Sequence, residues 1–362
     1  MANTNQHLSE LLHEITQEQG ESFTYDGAGI EQEAQQGSLR ISQLAVKVLV
    51  ILGGLLGAST FLGFLVAAGL YNSPVAMAVL GVILLAGAEW LIRNNKESAA
   101  DSIGVSFNII GYILLAVGVG QMVEEIMDSG TAVALVLACA AALLMLISHS
   151  SICTFLAVLV LSNSLLGLLF IHKVYNIAHG LIVLQAAILT FMSLNEAKLI
   201  AQSTALNAKY SPVRMGVIFS LVITLALFVH QKFLSTAIGH FWVSGLFLSG
   251  CLLYLLYKVL QDTSITNIKT KAAFYTCCLL ILAPTVIAPS VPGALLILLS
   301  SFYIGHRPGF WVGLLALVYF VILYYYDLNM TLLAKSGVLV ASGLLFLVGF
   351  FLLNKFLKSY AD

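Results

Sequence analysis

This sequence predicts an all-α fold: a polytopic transmembrane helical bundle of about 12 spans with both termini cytoplasmic. Three observations carry that reading. Of the 362 residues, 60% are hydrophobic and only 9% are charged. The apolar residues fall in long runs broken by short polar stretches, and the lysines and arginines gather on alternate breaks.

Composition decides the solvent. With a mean hydropathy of +0.98, the chain carries more apolar surface than a soluble domain of this size can bury, so its partner is the lipid bilayer and no nucleic acid is expected. The net charge of -1 hides a segregated head. Glu10, Glu14, Glu18, Glu21, Asp26, Glu31 and Glu33 all precede the first basic residue, Arg40. Within this head (residues 1–43), Leu8, Leu11, Leu12 and Ile15 repeat at helical spacing and predict a short amphipathic helix over 5–19. Its polar face is acidic, which disfavours anionic lipid. It is expected to rest on the protein's own cytoplasmic face or to dock a partner. A glycine- and glutamine-rich stretch to Gly37 then reads as a linker. The chain starts polar and acidic with no basic n-region, so the first apolar run reads as a retained span, not a cleaved signal peptide.

A crossing needs about 20 apolar residues. Cutting at polar interruptions gives segments of roughly 44–70, 75–92, 102–122, 131–147, 152–172, 177–194, 215–232, 241–260, 273–288, 290–305, 310–327 and 334–356. The transmembrane domain is therefore 44–356, and 357–362 forms a cytoplasmic tail. Pro284, Pro289 and Pro292 interrupt the ninth and tenth segments. These are either two short spans or a re-entrant hairpin added to 10 spans, and both alternatives return the chain to the same side. Residues 195–214 read as a soluble connection that divides the spans six and six. The connection "RNNKESAAD" lacks the Gly-x-x-x-Asp-Arg-x-Gly type signature of the major facilitator proteins, so that division is weak evidence for a two-lobed carrier.

Orientation follows from the basic residues, which collect on the cytoplasmic side. Arg40, Lys47, Arg93, Lys96, Lys198, Lys209, Arg214, Lys258, Lys269, Lys271, Arg307, Lys355 and Lys358 fall on one side. Only Lys173, Lys232 and Lys335 fall on the other. Both ends of the chain are placed inside.

Charges near a span centre are expensive, and none is found there. Glu89 lies one turn from Arg93 near the inner edge, and Lys47 can snorkel. This lowers the expectation of a proton pump or ion-coupled carrier. The uncharged polar set is Asn108 and Gln121 in the third span, Ser162, Asn163 and Ser164 in the fifth, and Gln185 in the sixth. Two readings stand: interhelical hydrogen bonds that hold the bundle, or a polar cavity between these spans. Outer-side His172, His179, His230 and His240, with Glu124, Glu125 and Asp128, include no tight i, i+4 histidine pair, so no metal is expected. Cys139, Cys153, Cys251, Cys277 and Cys278 lie in apolar runs as small hydrophobes. No phosphate loop, "HExxH" or Gly-x-Ser-x-Gly elbow occurs, so no catalytic residue and no cofactor is assigned.

One stretch departs from the apolar rule. "YYYDLNMTLLAK" places Tyr324, Tyr325, Tyr326, Asp327 and Lys335 at the outer connection of the last two spans. Tyrosines suit the interface, and Asp327 can pair with Lys335 across the turn. Three successive rings point in different directions around a helix, so at least one faces protein. The stretch is therefore a candidate partner-docking point as well as an aromatic girdle.

"GHRPGFWVGLLALVYFVILYYYDLNMTLLAKSGVLVASGLLFL" (Gly305 to Leu347) resembles the closing hairpin of an uncharacterised family of bacterial inner-membrane proteins, a domain of unknown function. "VKVLVILGGLLGASTFLGFL" (Val46 to Leu65) and "VGVGQM" at Gln121 are similar to it as well, although the aromatic residue expected within "GGLLGAS" is absent. The resemblance implies a multi-span protein of the inner membrane. It also implies a small envelope protein as partner, because members are often encoded beside one with a Gly-Asp-Tyr-x-x-Leu-x-Tyr motif. It supplies no activity. The expectation is a membrane subunit or scaffold of an envelope complex; the alternative is a transporter or permease for a neutral or amphiphilic solute, and an enzyme comes third.

Overall fold

The computed structural model describes residues 72–94, 98–124, 128–230, 239–262 and 282–327, with scattered positions between 53 and 69, 275 and 279, and 336 and 347. Every regular element among the described residues is helical. They are α1 (Pro74–Asn94), α2 (Ser98–Val123), α3 (Ser129–Ile147), α4 (Ser151–Ile171), α5 (Ala178–Leu194), α6 (Glu196–Gln202), α7 (Thr204–Val229), α8 (Trp242–Asp262), α9 (Ser290–Tyr303) and α10 (Arg307–Asp327). Single 3₁₀ turns at Tyr175–Ile177 and Ala283–Ile287 precede α5 and α9.

These helices are apolar all round, the pattern of a segment surrounded by lipid and protein instead of water. A 21-residue helix rises roughly 31 Å, the thickness of a hydrocarbon layer. Eight helices among the described residues are long and apolar enough to cross: α1 to α5, α7, α8 and α10. Side chains such as Val79, Trp90, Leu146, Trp311 and Leu315 stay more than half exposed. In water they would form an aggregating surface; against acyl chains they cost nothing.

Most of the first proline-broken segment, 273–281, lies outside the described residues; the second is described from residue 282 onward. The turn Ala283–Ile287 leads through Pro289 into α9, whose 14 residues fall short of a full crossing. Ser290, Val291, Pro292, Gly293, Ala294, Leu296, Ile297, Ser300 and Ser301 are all buried, so α9 is surrounded by protein on most of its circumference. The connection expected to be soluble, 195–214, is exposed over most of 197–208 and helical. It forms α6 and the first turns of α7, with Pro212 inside the helix and Tyr210 and Arg214 buried. The physical reason is that these polar residues find partners on neighbouring helix ends, as described below.

Short connections make successive helices antiparallel. One end of the bundle collects Arg93, residues 148–150, α6 and His306; the opposite end collects Asp128, residues 172–177, residues 239–241 and the end of α10. The first hairpin closes on a glycine seam. Gly104, Gly111 and Gly118 recur every seventh residue and meet α1 at Ala88 and Ile92, at Gly81 and Leu85, and at Pro74 and Ala78. A Cβ on Gly118 would sit 2.5 Å from the Ala78 nitrogen, so the backbones touch where a side chain has no room. The main core lies further along. Leu181 and Ile182 of α5, Leu221 and Leu225 of α7, Leu248 and Leu255 of α8, Leu296 and Ile297 of α9 and Phe320 of α10 pack as one cluster. Helix α7 is its centre, touching α4, α5, α9 and α10.

Candidate functional site

Among the described residues, the charged side chains and the capping hydrogen bonds gather at the two ends of the helices. At the Arg93 end, the connection between α3 and α4 folds over Glu89. The Ser150 amide donates to Ser148 Oγ at 3.3 Å. The Glu89 carboxylate accepts from the Ser148 hydroxyl and the His149 backbone amide. Its Oε1 oxygen is buried with no hydrogen-bond donor among the described residues. Tyr112 and Cys153 lie close enough to feel its charge, and the Tyr112 hydroxyl also lacks a partner there. The positive counterweight is Lys209, whose Nζ donates to the carbonyl oxygens of Met145, at 3.1 Å, and Leu146. That contact satisfies carbonyls left open at the C-terminus of α3 and sets a cation at the negative end of the helix dipole.

Beside it lies a second cluster. Arg214, buried in α7, donates to Glu196 Oε1 at 3.1 Å and stacks over the Tyr210 ring at 5.0 Å. Tyr210 in turn donates to the Met192 carbonyl at 2.9 Å, closing the end of α5. His306 faces the same cation. Burial, and then the Arg214 charge, push its pKa down to about 4. The Gly309 amide donates to His306 Nδ1 at 3.1 Å, as a neutral ring allows.

Hydrogen bonds that tie connections together dominate the opposite end. Asp128 caps α3 by accepting from the Thr131 hydroxyl at 2.7 Å and the Thr131 amide at 2.8 Å, and these bonds hold its carboxyl below the usual range. Thr131 Oγ1 then accepts from His172 Nε2 at 3.3 Å. His179 is held between Gly239 and Ser244, and its ring packs edge-on against Phe228 and Phe241. His230 Nε2 meets the Tyr319 hydroxyl at 2.7 Å. Each of these histidines has a structural partner, and among the described residues no three metal-ligating side chains converge.

The six polar residues read from the sequence are dispersed. Asn108 is buried on α2, and Gln121 lies half-buried near the other end of the same helix. Asn163 is exposed and bonds back to the Leu159 carbonyl of its own helix at 2.8 Å, while Ser162 is half-buried and Ser164 buried. Gln185 sits in the main core, 3% exposed, with neither amide atom partnered among the described residues. On α10, Tyr326 is 73% exposed, Tyr324 and Tyr325 are half-buried, and the Tyr325 and Tyr326 rings meet edge-on with centroids 5.8 Å apart. The Asp327 side chain, Lys335, the head helix, the linker and the tail lie outside the described residues.

Sequence reasoning passed over the Glu89 and Arg214 clusters. A signal was present: Glu89 is the carboxylate deepest within an apolar run, and Tyr210 and Arg214 are spaced i, i+4 on one helix face. A crevice of about 660 Å³ opens between α1, α2 and α3, walled by apolar side chains with Glu89 as its only charged lining residue.

Eight helices long and apolar enough to cross among the described residues, a helical core and lipid-compatible outer faces define a multi-pass membrane protein. Residues 43–356 match the family described as Domain of unknown function (DUF4401), and the chain belongs to that family. No curated protein and no solved structure matches it.

Proposed function

We propose that this protein is a non-enzymatic membrane subunit of an envelope complex in the bacterial inner membrane, spanning it about 12 times with both termini inside. The packing of the main core carries this reading. Ile182, Leu221, Leu225, Leu248, Leu255, Leu296, Ile297 and Phe320 are each less than 2% exposed, so side chains fill the space a solute would need. Tyr324, Tyr325 and Tyr326 offer an aromatic edge to a partner at the end of α10, with Asp327 next in the sequence, and a small envelope protein is the natural candidate. Co-purification from cells carrying Tyr325→Ala and Asp327→Ala tests the docking edge. Partner recovery should fall; unchanged recovery would count against it.

A specific observation favours the rival, a permease for a neutral or amphiphilic solute. Gln185 buries both amide atoms without partners among the described residues, a costly arrangement in a purely structural core. A cysteine placed at Gln185 decides between them: reaction with a small water-soluble thiol reagent supports the permease, and protection supports the subunit.

A further inference from the structure

Glu89 lies about one and a half turns from the end of α1, and its two carboxyl oxygens meet different surroundings. Oε1 is enclosed, with no accessible surface and no hydrogen-bond donor among the described residues. The donors that the carboxyl does have, the Ser148 hydroxyl and the His149 amide, therefore serve the other oxygen. The Tyr112 hydroxyl is enclosed and unpartnered in the same way, and the Cys153 thiol near it is 0% exposed. One turn further into the bundle, Leu85, Leu144 and Ala157 pack with Tyr112 as one apolar cluster. Where Glu89 does reach a surface, it lines the crevice between α1, α2 and α3, whose other lining residues are aliphatic apart from Cys139.

The charged groups nearby do not make up for this. Lys209 of α7 acts on Glu89 from a distance, but its Nζ is bonded to the Met145 and Leu146 carbonyls. Arg93, one turn along α1, and His149, on the connection, are exposed. Asp101 of α2 bears on Cys153 with the same sign as Glu89. A carboxylate with one bare oxygen in an enclosed, apolar place is expensive. A proton on Oε1 removes the charge, needs no additional room and leaves the Ser148 and His149 bonds in place.

We propose that Glu89 is a proton-binding site: the fold holds it as a neutral carboxylic acid at neutral pH, and loss of that proton opens the packing around Oε1 to water. The O–H bond at Oε1 breaks and the proton passes to water at this end of the bundle. The carboxylate left behind must be hydrated at its bare oxygen. Since Oε1 has no accessible surface as packed, residues 148–150 have to lift from Glu89, which uncovers Cys153. The site goes beyond the role of membrane subunit and stands whether or not a partner docks at the tyrosine edge.

The test uses the full chain in nanodiscs of ether-linked phospholipid, which adds no ester carbonyl to the infrared spectrum. At neutral pH the native protein should show the carbonyl stretch of a protonated carboxylic acid. That band should fade as the pH is raised and be missing from Glu89→Gln. Once it has gone, Cys153 of the native protein should react with a small maleimide about tenfold faster than Cys153 of Glu89→Gln at the same pH, the site being read by mass spectrometry. Comparison at one pH cancels the ordinary ionisation of the thiol. No acid band in the native protein at neutral pH would overturn the proton site without recourse to a variant, and a band that persists in Glu89→Gln would assign the proton to another carboxyl. Cys153 labelling that does not rise in the native protein as the band fades, or that rises equally in Glu89→Gln, would overturn the opening.

Discussion

His179 Nε2 lies 2.6 Å from the carbonyl oxygen of Gly239, joining the first turn of α5 to the connection that enters α8. A carbonyl only accepts, so the proton is on Nε2, and in the neutral ring Nδ1 accepts from the Ser244 hydroxyl at 3.1 Å. The Gly239 amide closes the arrangement by donating to Asn176 Oδ1 at 3.1 Å. One imidazole thus fixes two helices across a connection of more than ten residues, at a place where exposed backbone would otherwise meet the membrane surface.

Replacing His179 with Ala should remove both contacts and the edge-on packing against Phe228. A loss of about 2–4 kcal/mol is expected, read as a lower unfolding temperature in detergent. Ser244→Ala, which removes the hydroxyl from His179 Nδ1 and from the Phe241 carbonyl and leaves the ring, should cost about 1 kcal/mol. Equal effects from the two variants would argue against the imidazole as the centre of the clamp.

The glycine seam makes a steric prediction. Gly118→Val forces a branched side chain against the Pro74 carbonyl and the Ala78 nitrogen, where even a Cβ is too close. Helices α1 and α2 must separate, at a cost of about 1–3 kcal/mol or more. Gly87→Ala, on the same hairpin with nothing within 4 Å of the added carbon, should leave thermal stability unchanged. A double substitution placing cysteines on α1 and α2 near Gly118 would report the separation directly as lost crosslinking.

Arg214 is held mainly by Glu196 and the Tyr210 ring. Glu196→Gln leaves a buried cation without its counter-ion, whereas the Arg214→Met, Glu196→Gln pair removes both charges. The single variant should be the less stable of the two. The coupling in a double-mutant cycle should be about 1–3 kcal/mol, kept modest because the Glu196 side chain is 29% exposed.

His306 predicts an acid-sensitive component of stability. Its pKa is lowered in the fold from 6.5 to about 4, so the unfolded chain binds the proton more readily than the folded one. The contribution is complete above about pH 6.5, falls as the pH drops through that value, and is gone once the pH is below about 4. His306→Asn should flatten the dependence of unfolding temperature on pH over that window. A native and a variant curve that run parallel would refute the assignment.

Much of the architecture was legible because lipid imposes a simple length rule. The segments expected at 75–92, 102–122, 131–147, 152–172 and 177–194 match α1 to α5 within a few residues at each end, since an apolar run of that length has one hydrogen-bonded way to cross. Residues 195–214 carry exposed positions such as Lys198 and Gln202, as a connection outside the apolar layer should, but the spacing of Lys209 and Arg214 did not reveal their partners. Lys209 closes the end of α3, and Arg214 meets Glu196, a residue 18 positions earlier. Asn163 and Gln185 illustrate the same gap. Both are uncharged amides in mid-span, yet one faces outward and bonds to its own helix while the other enters the core.

The sequence by itself determined that this protein carries apolar helices of membrane-crossing length, where most of the described ones lie, and that its charges belong at their ends. Only the tertiary structure decided which faces meet: the seam of Gly104, Gly111 and Gly118 of α2 against α1, the buried circumference of α9, and the closure of residues 148–150 over Glu89. The reason is the solvent. In water a helix declares its inner face by being apolar there, but in lipid both the packed and the exposed faces are apolar. Close fit between backbones and a few distant polar pairs then choose the arrangement.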